Sequence, residues 1–214
     1  MARYLDLRDP GVREATLDTV VSGLRRGRVA VAPSESFYSL VTDAFSERGV
    51  TRIRELKADS SLPMGVIIGA PETLDGIGIG IPPVARDLIS ALWPGMLTLL
   101  VRQQPSLAWG LTSDTLAVRM PAHPVLLGLA ARLGPTALTL ANEKGVSPSQ
   151  TLDGVDTDGA DFILDTGPLT TDWRSTVVDV TGHVPRLIRE GAVSRGELAA
   201  INSAFEEEAS ESGE

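Results

Sequence analysis

GRVAVAPSESFYSL, residues 27–40, is the stretch that decides the fold class of this chain. Residues 28–33 alternate as the residues of a β-strand do. The strand then opens into Ser34, Glu35 and Ser36, three polar residues that belong to a loop. Ligands of open α/β sheets collect where strands run out into loops, so this stretch predicts a sheet with a candidate binding site at its edge.

Helices and strands interleave on both sides of this stretch. Apolar periodicity and capping residues predict helices at 10–26, 46–57, 83–92 and 123–133, and a last helix that starts at Ser194. Strands are predicted at 64–69, 96–102, 115–119, 136–140, 161–165, 175–180 and 185–189. The second half is strand-rich without a strict βαβ alternation. The sequence therefore predicts an α/β fold with a twisted mixed sheet flanked by helices, rather than a purely parallel sheet.

Length and composition favour one domain in a reducing compartment. The 214 residues, 43% of them hydrophobic, suffice for one large α/β domain, with two small domains as the alternative. Cysteine is absent, which excludes disulfides and thiolate metal sites and makes a cytoplasmic location the default. The apolar runs are short and the N-terminus is charged, so we expect neither a membrane span nor a secretory signal.

The acidic charge concentrates at the C-terminus. The formal net charge is −9, and five of the carboxylates lie within residues 205–214. We therefore divide the chain into a folded domain, 1–204, and an acidic, disordered tail, 205–214. Phosphate affinity depends on clustered lysine and arginine, so we expect weak or no nucleic-acid binding.

Common signatures of catalytic and metal sites are missing. The chain has no G-x-x-x-x-G-K-[ST] motif and no strand-linked G-x-G-x-x-G motif, and the glycines at 76, 78 and 80 predict a loop. With His123 and His183 as the two histidines, a zinc centre is not expected, and we predict no protein-bound metal. A Ser-His-Asp triad stays open, although nothing in the sequence indicates one.

Polar residues instead recur at predicted strand ends: Ser34–Ser36, Arg119, Asn142 and the pair Ser175–Thr176. Each by itself is also explained by turn chemistry and capping. Together they favour a shared ligand site at one edge of the sheet.

Six segments resemble, in order, the motifs of the YrdC family. They are GRVAVAPSESFYSL at 27–40, Lys57, LWPGMLTLLV at 92–101, LAVRMPAHP at 116–124, TALTLANEKGVSPSQT at 136–151 and RSTVVDVTGHVPRLIREGAVS at 174–194. The family patterns are P-T-[ED]-T-x-Y-G-L, K-x-R, W-P-G-x-L-T, V-x-V-R-x-P-x-H-P, A-T-S-A-N-x-S-G-x-P-S-P-T and S-T-V-V-D-x-T-G-x-P-x-I-L-R-x-G-x-I-S. Each fragment is weak alone, whereas six in order indicate a common fold.

The resemblance implies a YrdC-like fold with a large concave groove and a defined reaction. In that family L-threonine, bicarbonate and ATP, with Mg²⁺ assisting, give threonylcarbamoyl-AMP and pyrophosphate. The product feeds the N6-threonylcarbamoyladenosine modification of tRNA, which implies other tRNA-modification proteins as partners.

The resemblance also assigns residues to the site. It implies Lys57 and Arg119 as catalytic residues, with Lys57 on a phosphate. It implies substrate or nucleotide binding by Ser34, Ser36, Tyr38, Thr139, Asn142, Ser147, Ser149, Ser175, Thr176 and Arg189.

Several departures from the family pattern fall within the site, and two of them bear on catalysis. Asp59 replaces the arginine of K-x-R, and Leu140 replaces the serine of S-x-N. An aspartate beside a triphosphate reverses a charge, so two alternatives remain. One is a catalytically impaired paralogue that binds nucleotide or RNA, and the other is a relative that uses a different acceptor.

Overall fold

The structure, a computed structural model, describes residues 2–107, 109, 111, 114–143 and 145–206. Its helices are α1 Pro10–Leu24, α2 Glu47–Leu56, α3 Thr73–Ile77, α4 Pro83–Leu92, α5 Pro124–Leu133 and α6 Arg195–Ile201. Its strands are β1 Arg3–Asp6, β2 Ala30–Pro33, β3 Tyr38–Asp43, β4 Gly65–Ile67, β5 Gly78–Ile79, β6 Leu97–Gln103, β7 Thr115–Arg119, β8 Thr136–Leu140, β9 Phe162–Asp165, β10 Thr176–Asp179 and β11 Arg186–Arg189. Short 3-10 helices form at Leu152–Gly154 and Ser203–Phe205.

The strands of the described residues form one mixed sheet. The order is β1-β9-β2-β3-β8-β4-β7-β6-β10-β11, with β5 paired to β6. The pairs β1–β9, β2–β9, β4–β7 and β6–β10 are parallel. The pairs β2–β3, β3–β8, β4–β8, β6–β7 and β10–β11 are antiparallel. The predicted mixed α/β fold is confirmed.

Helices cover both faces of this sheet. Alternate residues of one strand enter opposite cores, as Ala30 and Val31 do. Helices α1 and α5 bury Leu17 and Leu129 on one face. Helices α2, α4 and α6 cover the other face, where Leu88 is fully buried. Each helix therefore contributes one apolar stripe to a core, as an α/β fold requires.

Beyond α1 and α5, part of the first face remains open. Leu97 and Leu99 of β6 point into the other core, so Thr98 between them points to the open side. Ala117 and Arg119 of β7 lie on that side as well. The open area forms a cavity, which residues of β4 and β8 also line.

Four of the helices and strands were not predicted from the sequence. The sequence did not indicate β1 or β3, and the glycine-rich segment around residue 78 forms α3 and β5 instead of a plain loop. These strands are short or charged and acquire their conformation from pairing with β9, β2 and β6. Such pairing joins residues far apart in the chain, and local propensity does not report it.

The folded domain extends past the predicted boundary. Phe205, which the prediction placed in the tail, is 1% exposed and belongs to the core beneath α6. Because its ring is buried in this core, Phe205 belongs to the folded domain. Residues 207–214, which carry most of the predicted tail, lie outside the described residues.

No helix within the described ranges combines the length and the hydropathy needed to cross a bilayer.

Candidate functional site

The open side of the sheet holds a cavity of about 410 Å³. Residues of β3, β4, β7 and β8 form its floor. Its rim includes residues 173–175, just before β10, and Arg189, the last residue of β11. Six of the predicted site residues line it, namely Ser34, Ser36, Arg119, Thr139, Ser175 and Arg189. A volume of this size lies within the range of small-molecule sites.

A half-buried ion pair lies in one wall of the cavity. Arg119 ends β7, and its guanidinium lies 2.9 Å from Oε2 of Glu35, with the two side chains 12% and 13% exposed. The Ala122 backbone N–H donates to Oε1 of Glu35 at 2.7 Å. Ser34 shapes the turn that carries Glu35, because its Oγ donates to the Phe37 carbonyl at 2.7 Å. The strand-end pattern included Glu35 with Ser34 and Ser36, whereas the family resemblance assigned it no role.

The opposite wall is built around Ser175. Its Oγ accepts hydrogen bonds from Thr98 Oγ1 at 2.9 Å and from Arg189 at 3.2 Å. The Arg189 guanidinium also donates twice to the Ser175 carbonyl, at 2.9 and 3.1 Å. Burial lowers the pKa of Arg189, and the positive charge of Arg174 lowers it further. Two like charges therefore stand side by side at this wall.

The charge of the cavity favours an anionic ligand. Three arginines line it, and no aspartate or glutamate does so among the described residues. Arg119 is neutralised by Glu35. Arg174 and Arg189 have no ion-pair partner in the part of the chain that the structure describes. Guanidinium groups bind phosphate and carboxylate oxygens through charge-assisted hydrogen bonds, so these two mark an anion-binding wall.

Lys57 lies at the end of α2 and contacts the end of β8 rather than the cavity lining. Its ammonium donates to the carbonyls of Leu140, at 3.1 Å, and Asn142. Burial lowers the pKa of Lys57, and the charge of Asp156 opposes that shift. The structure thus brings Lys57 and Asn142 together, next to Leu140, whose side chain lines the cavity.

Two predicted serines also lie outside the lining. Ser147 is exposed in the loop after β8. Ser149 closes a local turn, since its Oγ donates to the Thr151 carbonyl at 2.8 Å and accepts from the Thr151 N–H at 3.1 Å. Neither contributes to the cavity in this conformation.

Tyr38 and Thr176 do not line the cavity, and their polar atoms make hydrogen bonds inside the fold. Tyr38 is 1% exposed and points to the face opposite Ser39, where its hydroxyl donates to the Gly167 carbonyl at 2.8 Å. Thr176 is fully buried; its Oγ1 donates to the Val193 carbonyl at 2.5 Å and accepts from the N–H groups of Gly191 and Val193. The part of both residues in binding stays a prediction.

Asp59, the departure from K-x-R, holds its own turn. Its Oδ1 accepts from the Ser61 N–H at 3.1 Å and from the Ser61 hydroxyl at 2.9 Å. Asp59 does not line the cavity, whereas Leu140 does. Of the two departures, only Leu140 therefore changes the cavity surface directly.

His123, at the start of α5, gives a pH-dependent prediction. Burial lowers its pKa from 6.5 to about 4, with Glu35 opposing and Arg13 adding to the shift. Its Nδ1 has no hydrogen-bond partner among the described residues. The unfolded chain takes up this proton near pH 6.5 and the folded chain only near pH 4. Stability should therefore be unaffected by this group above pH 6.5 and fall by on the order of 3 kcal/mol between the two values.

Urea denaturation of wild type and His123→Gln at pH 7.5, 5.5 and 4 measures this dependence. The variant should lose less stability than wild type on acidification. His183→Gln, which alters an exposed turn residue, should behave as wild type does. Parallel pH profiles for wild type and His123→Gln would refute the assignment.

Comparison with known proteins agrees with this architecture. The Sua5/YciO/YrdC family model, described as "Telomere recombination", matches residues 22–191. The chain is 35% identical over 207 residues to a Mycobacterium tuberculosis protein named "Putative threonylcarbamoyl-AMP synthase", covering 94% of this chain and 95% of that one. It is 31% identical to the threonylcarbamoyl-AMP synthase of Bacillus subtilis, covering 92% of this chain and 58% of the relative.

Solved structures give the same result. The crystal structure of Pyrococcus abyssi Sua5 complexed with L-threonine superposes with a TM-score of 0.84 at 30% identity, covering 95% of this chain and 61% of Sua5. The chain thus spans about three fifths of the Sua5 length. Escherichia coli YciO, at 21% identity and a TM-score of 0.74, shares the fold over 90% of this chain and 96% of its own. On its sequence, its motifs and its fold, this chain belongs to the Sua5/YciO/YrdC family.

Proposed function

We propose that this chain is a threonylcarbamoyl-AMP synthase. It would condense L-threonine, bicarbonate and ATP to threonylcarbamoyl-AMP and pyrophosphate, for the N6-threonylcarbamoyladenosine modification of tRNA by further modification proteins. The observation that carries the proposal is the wall formed by Arg174 and Arg189, two arginines without carboxylate partners in a cavity of about 410 Å³. The names of the relatives and the threonine complex of P. abyssi Sua5 support it.

For this reaction the protein has to position the substrates and neutralise the charge of the phosphates. Bicarbonate supplies CO₂, and the hydroxide that it loses leaves as water with a proton of the threonine amine. The amine adds the CO₂ to give a carbamate, whose oxygen attacks the α-phosphorus of ATP. The new P–O bond forms as the bond to pyrophosphate breaks. Arg174 and Arg189 would neutralise phosphate charge from one wall, and Arg119, oriented by Glu35, would face it from the other.

Mg²⁺ would enter with ATP as part of the substrate. The described residues contain no group of three or more His, Cys, Asp or Glu side chains arranged to hold a metal ion. Magnesium bound to nucleotides keeps several waters and binds through substrate phosphates and one or two carboxylates. The phosphates of ATP would therefore supply most of its ligands.

Lys57 would act on the site through the end of β8. Its ammonium holds the carbonyls of Leu140 and Asn142, which fixes the strand end whose Leu140 side chain lines the cavity. Phosphate contact by Lys57, as the family resemblance implies, would require the ammonium to exchange these carbonyls for phosphate oxygens.

A nucleotide-binding paralogue without turnover is the second candidate. Leu140 places an apolar side chain in the cavity lining where the family has a hydroxyl. Asp59 supplies no positive charge, and its Oδ1 accepts two hydrogen bonds from Ser61. Both observations favour weakened catalysis with retained binding.

Pyrophosphate release from ATP and bicarbonate, with and without L-threonine, tests the proposal. We expect release that depends on threonine, and Arg189→Gln should lower kcat/KM by about 10²-fold because a charge-stabilising donor is lost. Arg186→Gln is the matched control, since Arg186 lies on the same strand, pairs with Asp179 and does not line the cavity.

The alternatives give other outcomes. ATP binding without pyrophosphate release would establish the paralogue. Release that does not respond to threonine would indicate a different acceptor.

A further inference from the structure

Trp173 is an exposed tryptophan in the lining of the cavity, and core packing does not explain its exposure. The residue lines the cavity and is 59% exposed. Trp93 shows the usual arrangement, since it is 8% exposed and its Nε1 donates to the Leu97 carbonyl at 2.8 Å. Aromatic side chains gain much of their stabilisation from burial, so an indole left open at a site rim is available to a ligand.

The backbone that carries this indole is fixed on both sides. Ser36 Oγ donates to the Trp173 carbonyl at 2.5 Å, and the Trp173 N–H donates to Thr171 Oγ1 at 3.1 Å. One residue on, the Arg174 carbonyl accepts from the Ala192 N–H at 2.9 Å. The ring is therefore presented on an ordered support, which lowers the entropic cost of binding against it.

The neighbours of Trp173 define what kind of ligand would reach it. Arg174 follows it in the chain, and Ser175 and Arg189 stand further along the same wall. An aromatic face next to cations matches a nucleotide, which has a planar base at one end and phosphates at the other. Threonine and bicarbonate have no aromatic ring to stack, so they do not account for the indole.

We propose that Trp173 is the stacking platform for the adenine base of ATP and of the acyl-adenylate product. This inference rests on the proposed function for the identity of the base. The base lies against the indole at the rim, and the phosphates extend along the wall of Arg174 and Arg189 towards the floor. Base–aromatic stacking tolerates different bases, so Trp173 supplies affinity while other lining residues select adenine.

Calorimetric titration with AMP and with ribose 5-phosphate separates the base from the phosphate. Trp173→Ala should weaken AMP binding by about 5- to 150-fold, the equivalent of roughly 1–3 kcal/mol per stacked base. Binding of ribose 5-phosphate, which lacks the base, should not change. Trp173→Phe should retain most of the AMP affinity, and Val184→Ala, which shortens an equally exposed side chain outside the cavity, should bind as wild type does.

Fluorescence provides a second readout, because the chain has three tryptophans. AMP should quench the emission of the wild type. Trp173→Phe should bind AMP without that quenching, as Trp93 and Trp109 do not line the cavity.

The outcomes separate this inference from the proposed function. Equal AMP affinity in wild type and Trp173→Ala would overturn the stacking role while threonine-dependent pyrophosphate release still stood. Equal losses for AMP and ribose 5-phosphate would also overturn it, since the ring would then only shape the cavity. Weakened AMP binding in an enzyme that releases no pyrophosphate would uphold the stacking and refute the synthase.

Discussion

Alanine in place of Glu35 should destabilise the protein by about 2–3 kcal/mol, because it removes charge-assisted hydrogen bonds from a half-buried guanidinium and from the Ala122 N–H. Glu35 and Arg119 are 13% and 12% exposed, and the Ala122 N–H loses its acceptor as well. Urea denaturation measures the loss. Asp75→Ala is the control, since it breaks the exposed pair with Arg86 and should change stability by less than about 1 kcal/mol.

The double variant Glu35→Ala/Arg119→Met sharpens this test. Removing both charges should recover most of the lost stability, since no unpaired ion remains in the interior. It should nevertheless abolish threonine-dependent pyrophosphate release, because Arg119 lines the cavity. A double variant as unstable as Glu35→Ala would show that packing, rather than the charge pair, holds this wall.

Valine in place of Thr176 should cost about 3 kcal/mol or more, although the two side chains are nearly equal in size. The buried hydroxyl serves three backbone groups at once, namely two N–H groups, of Gly191 and Val193, and the Val193 carbonyl. Each would be left buried without a partner at about 1–3 kcal/mol. Urea denaturation again provides the measurement.

Thr16→Val is the control for this second substitution. Its hydroxyl donates to the Val12 carbonyl on the outer surface of α1, where water can replace it, so we expect a change within about 0.5 kcal/mol. A Thr176→Val variant as stable as Thr16→Val would mean that the turn at 190–193 finds other partners.

Local elements could be predicted from the sequence because their signals lie within a few residues. Ser46 caps α2, and Ser194 with Glu197 forms the predicted capping box at α6. The mixed sheet followed from the order of strands and helices. Pairing across the sheet could not be predicted, because β1 and β9 are joined over more than 150 residues by contacts that no local pattern encodes.

The sequence predicted where the site lies better than it predicted which side chains line it. Strand ends and family motifs located Arg119, Ser175 and Arg189, which do line the cavity. Strand ends and motifs could not predict that Ser39 faces the cavity and Tyr38 faces the core. The register of β3 against β8 determines which face each side chain takes. Trp173 carries no local signal, since its place in the lining comes from the segment before β10 crossing towards Ser36.

The partnership of β1 with β9 also bears on how the chain folds as the ribosome makes it. Arg3 pairs with Phe162, so the first strand emerges long before its partner exists. At bacterial or eukaryotic rates of about 5–20 residues per second, that interval lasts roughly 8–30 seconds. The wall that carries Trp173 and Arg189 is translated later still. A nascent chain therefore keeps β1 unpaired and the cavity half-built until residues 162–189 have been translated, and substrate can act only on the folding steps that follow.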